Sequence, residues 1–245
     1  LAIADGHGGA AVAHTCNTLL PEMVIEFTKT ALPSEEEFQH IFEKLQEQCK
    51  NMYSGAALTL CVLDKTTRAV GCANVGDVGC IIATPSSYAW LSTTHRLQDN
   101  AQERKRLQCG VQHATLAGPP RLWPGGLSCS RTLGDADCPR ASCVPSVAYA
   151  TLDDSSVLII ASDGIFDVTT PRRIADVARQ TRCATSVLRI KSQYNDDASV
   201  IVASTQPASP YVRFSNWLFK SGSSSSSDED DSGHGKKRIM RVSLR

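Results

Sequence analysis

Residues 1–9 have the sequence LAIADGHGG, in which a short apolar segment is followed by an aspartate, a histidine and three glycines. The apolar residues 1–4 are typical of a buried strand, and the Asp5-Gly6 pair is typical of a turn. Residues 10–20 have the apolar spacing of a helix. We therefore expect the chain to open with a strand, a turn that carries Asp5 and His7, and a helix.

Five further apolar segments predict strands, at residues 57–63, 69–74, 79–83, 156–161 and 198–203. Residues 64–67, with the sequence DKTT, separate the first two of these segments and predict a hairpin turn. Because adjacent strands are joined by short turns, we expect an antiparallel sheet.

Two more helices are predicted farther along the chain. One covers residues 35–53, because Ser34 and Glu37 have the spacing of a capping box. Its apolar face consists of Phe38, Ile41, Phe42, Leu45, Cys49 and Met52. The other begins after Thr170, with Pro171 at its first position. Helices packed outside an antiparallel sheet give an α+β fold class.

The composition limits the class of protein. The chain has 245 residues, with 25 basic and 25 acidic side chains, and 42% of its residues are hydrophobic. This length and composition suffice for one globular domain with its own core. The lack of a net positive charge argues against nucleic-acid binding. No apolar segment approaches the roughly 20 residues needed to span a bilayer, so no membrane association is expected.

The ten cysteines include no Cys-x-x-Cys pair and no zinc-finger spacing. Most of them lie within apolar segments, a pattern that favours buried free thiols over a disulfide scaffold. Free thiols are typical of a reducing compartment, so we expect an intracellular protein of the cytoplasm or the nucleus.

The C-terminal region has a different composition. Residues 221–245, SGSSSSSDEDDSGHGKKRIMRVSLR, contain a serine run, an acidic run and a basic cluster. Such a segment cannot bury a core and is predicted to be a disordered tail. Phosphorylation by an acidophilic kinase and a nuclear signal at Lys236, Lys237 and Arg238 are alternatives to a plain solvated tail. The chain thus divides into a folded domain at 1–205, an extension at 206–220 and the tail at 221–245.

Four aspartates lie beside predicted strands: Asp5, Asp77, Asp163 and Asp196. If these strand ends meet at one edge of a sheet, the carboxylates repel one another unless a cation neutralises them. Oxygen ligands suit hard cations such as Mg²⁺ or Mn²⁺. Asp-Gly is also an ordinary turn signal, so their positions alone leave a metal site and a set of turns as alternatives.

Seven segments, in this order along the chain, match one family. They are ADGHGG (4–9), SGAA (54–57), ANVGD (73–77), LSTTH (91–95) with ERKR (103–106), GLSCSRTLGD (126–135), ASDGIFDV (161–168) and DDASVIV (196–202). Together they resemble the metal-dependent protein phosphatases, the PPM or protein phosphatase 2C family. The resemblance covers roughly residues 5–203 and is specific because the whole ordered set is present.

This resemblance implies a PPM-type fold, with a central sandwich of two antiparallel sheets flanked by helices. It also implies a cofactor of two Mg²⁺ or Mn²⁺ ions at one end of the sandwich. Asp5 would bridge both ions and the Gly6 carbonyl would bind one of them. Asp163 and Asp196 would hold the other ion, and Asp77 would match the acidic residue of a weaker third site that also uses Asp163.

The activity implied is that of a protein serine/threonine phosphatase whose partners are phosphoprotein substrates. Paired divalent ions activate a water molecule and neutralise the phosphoryl oxygens. Asp5 and His7 would be the catalytic residues, with His7 as the general acid that protonates the leaving alkoxide. We expect the protein to be a monomer that binds neither nucleic acid nor a membrane.

Several departures from the family pattern are present. Thr94, Gly79, Ala57 and Asp197 replace an aspartate, an arginine, a threonine and an asparagine of the motifs. Nothing precedes Leu1, so the family's first strands, with a phosphate-binding arginine and a metal-binding glutamate, are expected to be missing. A domain truncated in this way would be poorly soluble and weakly active or inactive. The alternative function is a catalytically inactive PPM-like pseudophosphatase that acts as a binding or scaffold domain.

Overall fold

The computed structural model of the protein describes residues 1–27, 31–107, 111–113, 118–206 and 237–239. The chain forms two compact units. The first unit consists of Leu1–Cys80 and Trp90–Thr151, and the second consists of Ile81–Ala89 and Leu152–Arg245.

Both units contain strands and helices. The strands are β1 Ala2–His7, β2 Gly55–Leu63, β3 Ala69–Val75, β4 Gly79–Ala83, β5 Tyr88–Trp90, β6 Val111–His113, β7 Pro120–Leu122, β8 Leu133–Gly134, β9 Ser146–Thr151, β10 Val157–Ala161, β11 Ala198–Ala203 and β12 Lys237–Ile239. The helices are α1 Ala11–Phe27, α2 Glu35–Cys49, α3 Ala101–Leu107, α4 Asp163–Phe166, α5 Pro171–Thr181 and α6 Ala184–Leu188. The six predicted strands and three predicted helices are all present.

The sheet of the first unit has the order β1-β2-β3-β9, and every neighbouring pair is antiparallel. The short β8 also pairs with β2. The predicted hairpin turn between β2 and β3 is confirmed, since the Asp64 carboxylate accepts hydrogen bonds from the Thr66 backbone N–H at 2.8 Å and the Thr67 hydroxyl at 2.6 Å. This turn fixes the register in which Cys61 lies opposite Cys72.

Two helices cover one face of this sheet. The predicted capping box is confirmed: the Glu37 N–H donates to Ser34 Oγ at 3.2 Å, and the Ser34 N–H donates to Glu37 Oε2 at 2.7 Å. The apolar face of α2 packs with α1 against the sheet in a core that includes Phe38, Phe42, Leu45, Leu58, Leu60 and Ala73. Helix α2 ends at Cys49 rather than at residue 53 because the next residues turn away, and the Met52 carbonyl accepts from the Ala136 N–H at 2.9 Å.

Helix α3 is fixed to the first unit by a buried carboxylate. Glu103 accepts hydrogen bonds from Arg131 at 2.7 Å, from Arg106 at 2.8 Å and from the Ser130 hydroxyl at 2.5 Å. Burial by itself raises the pKa of Glu103, but the bonds from Arg131, Arg106 and Ser130 outweigh it and hold the pKa well below the ordinary value of 4.5. The carboxylate therefore stays ionised in the folded protein.

Replacing this carboxylate is expected to remove an acid-sensitive source of stability. Because the folded pKa lies below the unfolded one, Glu103 stabilises the protein above about pH 4.5, and this contribution is lost as the pH falls. Glu103→Gln should lower the free energy of unfolding at pH 7 by about 3–5 kcal/mol, since Arg131 then loses its buried partner. Urea unfolding at pH 7 and pH 4 measures both effects. An equal pH dependence in the wild type and the variant would show that Glu103 is not the group responsible.

A second sheet has the order β12-β11-β10-β4-β5, in which β10 and β11 are antiparallel and β11 and β12 are parallel. Helices α5 and α6 pack on it through a core that includes Ile81, Ile159, Ala161, Ile174, Val187 and Val200. The predicted start of α5 is confirmed, since Thr170 Oγ1 accepts from the Arg173 N–H at 3.3 Å and Pro171 is the first helical residue. Antiparallel strands flanked by helices confirm the α+β fold class.

Three other predictions concern the C-terminal segment, the thiols and membrane-spanning helices. Strand β12, Lys237–Ile239, lies within the segment predicted as a disordered tail, and the rest of that segment lies outside the described residues. Nine cysteines fall within the described residues, and all nine are free thiols. Among the helices described, none is both long and apolar enough to cross a membrane.

Candidate active site

His7 is the last residue of β1, and its side chain is held by a carboxylate from a distant segment. The ring Nε2 lies 2.8 Å from Oδ1 and 3.0 Å from Oδ2 of Asp135. Asp135 is only 3% exposed, and its backbone N–H donates to the Ser54 carbonyl at 3.0 Å. Because a carboxylate only accepts, Nε2 carries the proton of this hydrogen bond.

The close approach of His7 and Asp135 requires a glycine on the neighbouring strand. Gly55 lies opposite His7 in the β1–β2 pair. A Cβ at Gly55 would lie 2.1 Å from Asp135 Oδ2 and 2.3 Å from His7 Nε2. Any other residue at this position would displace one of the two side chains.

The pairing changes the protonation of the imidazole. The hydrogen bond with Asp135 raises the pKa of His7 above its ordinary value, and the negative charges of Asp135, Asp77 and Asp5 raise it further. Burial acts in the opposite direction but does not outweigh them. A larger share of His7 therefore carries a second proton near neutral pH, which is the state that a general acid requires.

The sequence predicts Asp5 in a turn after the first strand. In the structure Asp5 lies inside β1. Strand β1 continues to pair with β2 as far as His7, so Asp5 is opposite Ala57 and Gly6 is opposite Ala56. Small residues on both strands let the pairing continue through the Asp-Gly pair. Asp5 and His7 are two residues apart in this strand, so their side chains point to the same face of the sheet.

Asp77 lies in the turn that follows β3 and has a basic partner. Its Oδ2 accepts a hydrogen bond from Arg96 Nε at 3.0 Å. The turn itself is held by the buried His95, whose backbone N–H donates to the Gly76 carbonyl at 2.9 Å. The Gly76 N–H donates to His95 Nδ1 at 3.1 Å, so the ring proton is on Nε2, which donates to Ser146 Oγ at 2.8 Å.

This positioning role of His95 was not predicted from the sequence. Burial lowers the pKa of His95 to about 3, so the ring is neutral under physiological conditions. His95 is the last residue of the LSTTH segment, and this motif was the one sign in the sequence that His95 has a role. His95 therefore holds the Asp77 turn as a neutral hydrogen-bonding group.

In the second unit, Asp163 is the first residue of α4, and Asp196 lies in the segment before β11. These two segments are in contact, since a Cβ at Gly164 would lie 2.4 Å from the Asp197 carbonyl oxygen. Ser162 Oγ also donates to that carbonyl at 3.2 Å and accepts from the Ser199 N–H at 3.0 Å. The structure thus places the Asp163 and Asp196 segments side by side.

The predicted metal ligands fall into two sets. Asp5, Gly6 and Asp77 belong to the first unit, and Asp163 and Asp196 belong to the second. All five offer oxygen donors, which fits Mg²⁺ or Mn²⁺. Gly164 supports this fit in the second unit because its lack of a side chain lets the two carboxylate segments touch. Asp77 fits less well, since Arg96 already balances part of its charge.

Comparisons with known proteins identify the family and agree with the fold. The family model described as Protein phosphatase 2C matches residues 1–203. "Probable protein phosphatase 2C 15" of Arabidopsis thaliana is 34% identical over 203 residues, which is 73% of this chain and 45% of the relative. "Probable protein phosphatase 2C 3" of Oryza sativa subsp. japonica is 30% identical over 243 residues, which is 86% of this chain and 49% of the relative. The chain thus spans about half the length of these curated relatives.

Solved structures share the fold. A sex determining protein of C.elegans has a TM-score of 0.66 at 23% identity, over 84% of this chain and 56% of that chain. The serine-threonine phosphatase 2C of Toxoplasma gondii has a TM-score of 0.59 at 18% identity, over 77% of each chain. At these identities the likeness concerns the fold alone. The match of the family model over residues 1–203 goes further, and the chain belongs to the protein phosphatase 2C family.

Proposed function

We propose that this protein is a metal-dependent serine/threonine phosphatase that hydrolyses phosphoserine and phosphothreonine in phosphoprotein substrates. The observation that carries the proposal is the His7–Asp135 pair, with hydrogen bonds of 2.8 Å and 3.0 Å, two residues from Asp5. A positioned imidazole of raised pKa beside carboxylates suits proton transfer to a basic leaving group. Membership of the protein phosphatase 2C family supports the same reaction.

The cofactor that we propose is a pair of Mg²⁺ or Mn²⁺ ions, with a weak third. Asp5 and the Gly6 carbonyl would hold ions from the first unit, and Asp163 and Asp196 from the second. Asp77 is assigned to the weak third site, which is consistent with its pairing to Arg96. When bound, such ions activate a water molecule and neutralise the phosphoryl oxygens.

His7 supplies the proton that the leaving alkoxide needs. Since Nε2 is engaged by Asp135, the proton that reaches the leaving oxygen is the one on Nδ1. Asp135 keeps the ring oriented and stabilises the doubly protonated form, so its role is positioning. The free thiols support an intracellular, reducing location for this chemistry.

His7→Gln is expected to slow the hydrolysis of phosphothreonine peptides by about 10²–10⁴-fold, the usual contribution of a general acid. The loss should be much smaller for an aryl phosphate, because a phenolate leaves without protonation. Initial rates on both substrates, at the same Mn²⁺ concentration, measure the difference. Equal losses on the two substrates would show that His7 acts as a structural residue.

Turnover of a phosphothreonine peptide in the presence of Mn²⁺ tests the proposed function against the scaffold alternative. We expect catalytic release of phosphate that stops when a chelator is added. Stoichiometric peptide binding without phosphate release would contradict the proposal and identify a pseudophosphatase. The His7→Gln variant is the matched control, since it keeps every proposed metal ligand.

A further inference from the structure

Three buried thiols of the first unit converge on one point. Cys61 lies in β2, Cys72 in β3 and Cys80 in β4, and all three side chains are 0% exposed. The three sulfurs lie within 4.8 Å of one another, and the Cys61 and Cys80 sulfurs are 3.6 Å apart. We call this group the thiol cluster.

The strand register explains how the cluster forms. Cys61 and Cys72 are directly opposite each other in the β2–β3 pair. Their neighbours Leu60 and Ala73 pack in the core with α1 and α2, so alternation along the strands turns the thiols to the other face of the sheet. The two sulfurs are therefore held together by the backbone pairing of the sheet.

The third thiol is fixed by hydrogen bonds of its own backbone. The Cys80 N–H donates to Ser92 Oγ at 2.7 Å, and its carbonyl accepts from the Leu91 N–H at 2.9 Å. A further bond on the same face, from Thr59 Oγ1 to the Val78 carbonyl at 2.7 Å, ties β2 to the residues just before β4. The backbone thus holds the three sulfurs in place before any ligand arrives.

The spacing of the sulfurs suits a metal ion. Metal–thiolate bonds of about 2.3 Å place three sulfurs around one ion about 4 Å from one another. The Cys61 and Cys80 sulfurs are 3.6 Å apart, slightly less than this value. All three sulfurs lie within 4.8 Å of one another, slightly more than this value. Small side-chain shifts would suffice to coordinate an ion, with no change in the strands.

The donor set selects the ion. Soft thiolate ligands favour Cu⁺ and Zn²⁺ over Mg²⁺ or Mn²⁺. Structural zinc sites use four ligands, whereas the cluster found in the described part of the chain consists of three cysteines, with no histidine, aspartate or glutamate among its members. A dry site with three sulfurs fits monovalent copper, which is stable with three ligands.

Coordination requires the thiols to lose their protons. The hydrogen bond with Cys61 and burial both raise the pKa of the Cys72 and Cys80 thiols. Each thiol that binds as a thiolate releases its proton to solvent, and the copper remains in the Cu⁺ state.

We propose that Cys61, Cys72 and Cys80 form a binding site for one Cu⁺ ion inside the first unit. This site uses sulfur donors and does not involve the carboxylates of the proposed phosphatase centre. Its occupancy is therefore measured independently of phosphatase activity, and failure of either proposal leaves the other intact.

The test is a Cu⁺ titration of the purified protein, without oxygen, against a coloured Cu⁺ chelator. We expect one equivalent of Cu⁺ to be retained, and X-ray absorption at the copper edge to show three sulfur neighbours. Loss of a direct ligand in Cys72→Ala should weaken binding by more than the roughly 10–100-fold typical of outer-shell changes. No retained copper, or a shell of two sulfurs, would overturn the proposal.

The matched control is Cys49→Ala. Cys49 is also buried in the first unit, and its thiol forms a hydrogen bond with Cys16 outside the cluster. This variant should retain one equivalent of Cu⁺ with unchanged affinity. Loss of binding in Cys49→Ala with retention in Cys72→Ala would place the copper at the other thiol pair and refute the assignment. The sulfur count on the wild-type protein needs no variant, so the proposal stays testable if Cys72→Ala fails to fold.

Discussion

Asp5→Ala is expected to reduce the Mn²⁺-dependent turnover of a phosphothreonine peptide to background. Asp5 is the proposed ligand of both ions, and it lies in the paired part of β1 opposite Ala57, so its position is fixed by the sheet. Without this carboxylate, neither ion would be held at the proposed site, where it would supply the activation of water. Phosphate release measured over a range of Mn²⁺ concentrations gives the result, and higher Mn²⁺ should not restore activity.

The control for this experiment is another aspartate of the first unit. Asp99 is exposed and has not been assigned to the metal site, so Asp99→Ala should keep wild-type turnover. The two variants carry the same change of charge, which removes a general electrostatic effect as an explanation. Wild-type activity in Asp5→Ala would refute the assignment of the metal centre.

Asp163→Asn should lower turnover by several orders of magnitude and weaken Mn²⁺ binding. The amide keeps the shape of the side chain at the start of α4 but removes the negative charge that a divalent ion needs. Removing one member of a carboxylate set relieves repulsion, so the metal-free variant should be as stable as the wild type or more stable.

Thermal unfolding with and without Mn²⁺ separates these effects. A ligand that binds only the folded state raises the unfolding temperature, so Mn²⁺ should stabilise the wild type more than Asp163→Asn. The same thermal shift in both proteins, together with unchanged turnover, would mean that Asp163 is not a ligand.

Helices and strands whose apolar residues form a strong pattern were predicted from the sequence. Residues 79–83 and 198–203 were predicted as strands with the bounds that the structure has. Helix α1 continues to Phe27 and not to residue 20, because Met23 and Val24 extend its contact with the same core. Strand β9 was not predicted: its apolar run VAYA is short, and its residues are half-buried or exposed.

The site was predictable only in part. The motif segments identified His7 and the aspartates, but the partner of His7 lies 128 residues farther along the chain. No spacing rule relates two such positions, since the contact depends on Gly55 leaving room between strands. The role of His95 depends in the same way on the approach of Gly76 and Ser146, which only the folded chain shows.

The most direct test of the central claim measures bound Mn²⁺ and phosphate release in one titration of the protein. Our account predicts that turnover of the phosphothreonine peptide rises in step with Mn²⁺ occupancy, and that a chelator removes both together. Turnover that persists after the chelator has removed the metal, or full occupancy without any phosphate release, would contradict it.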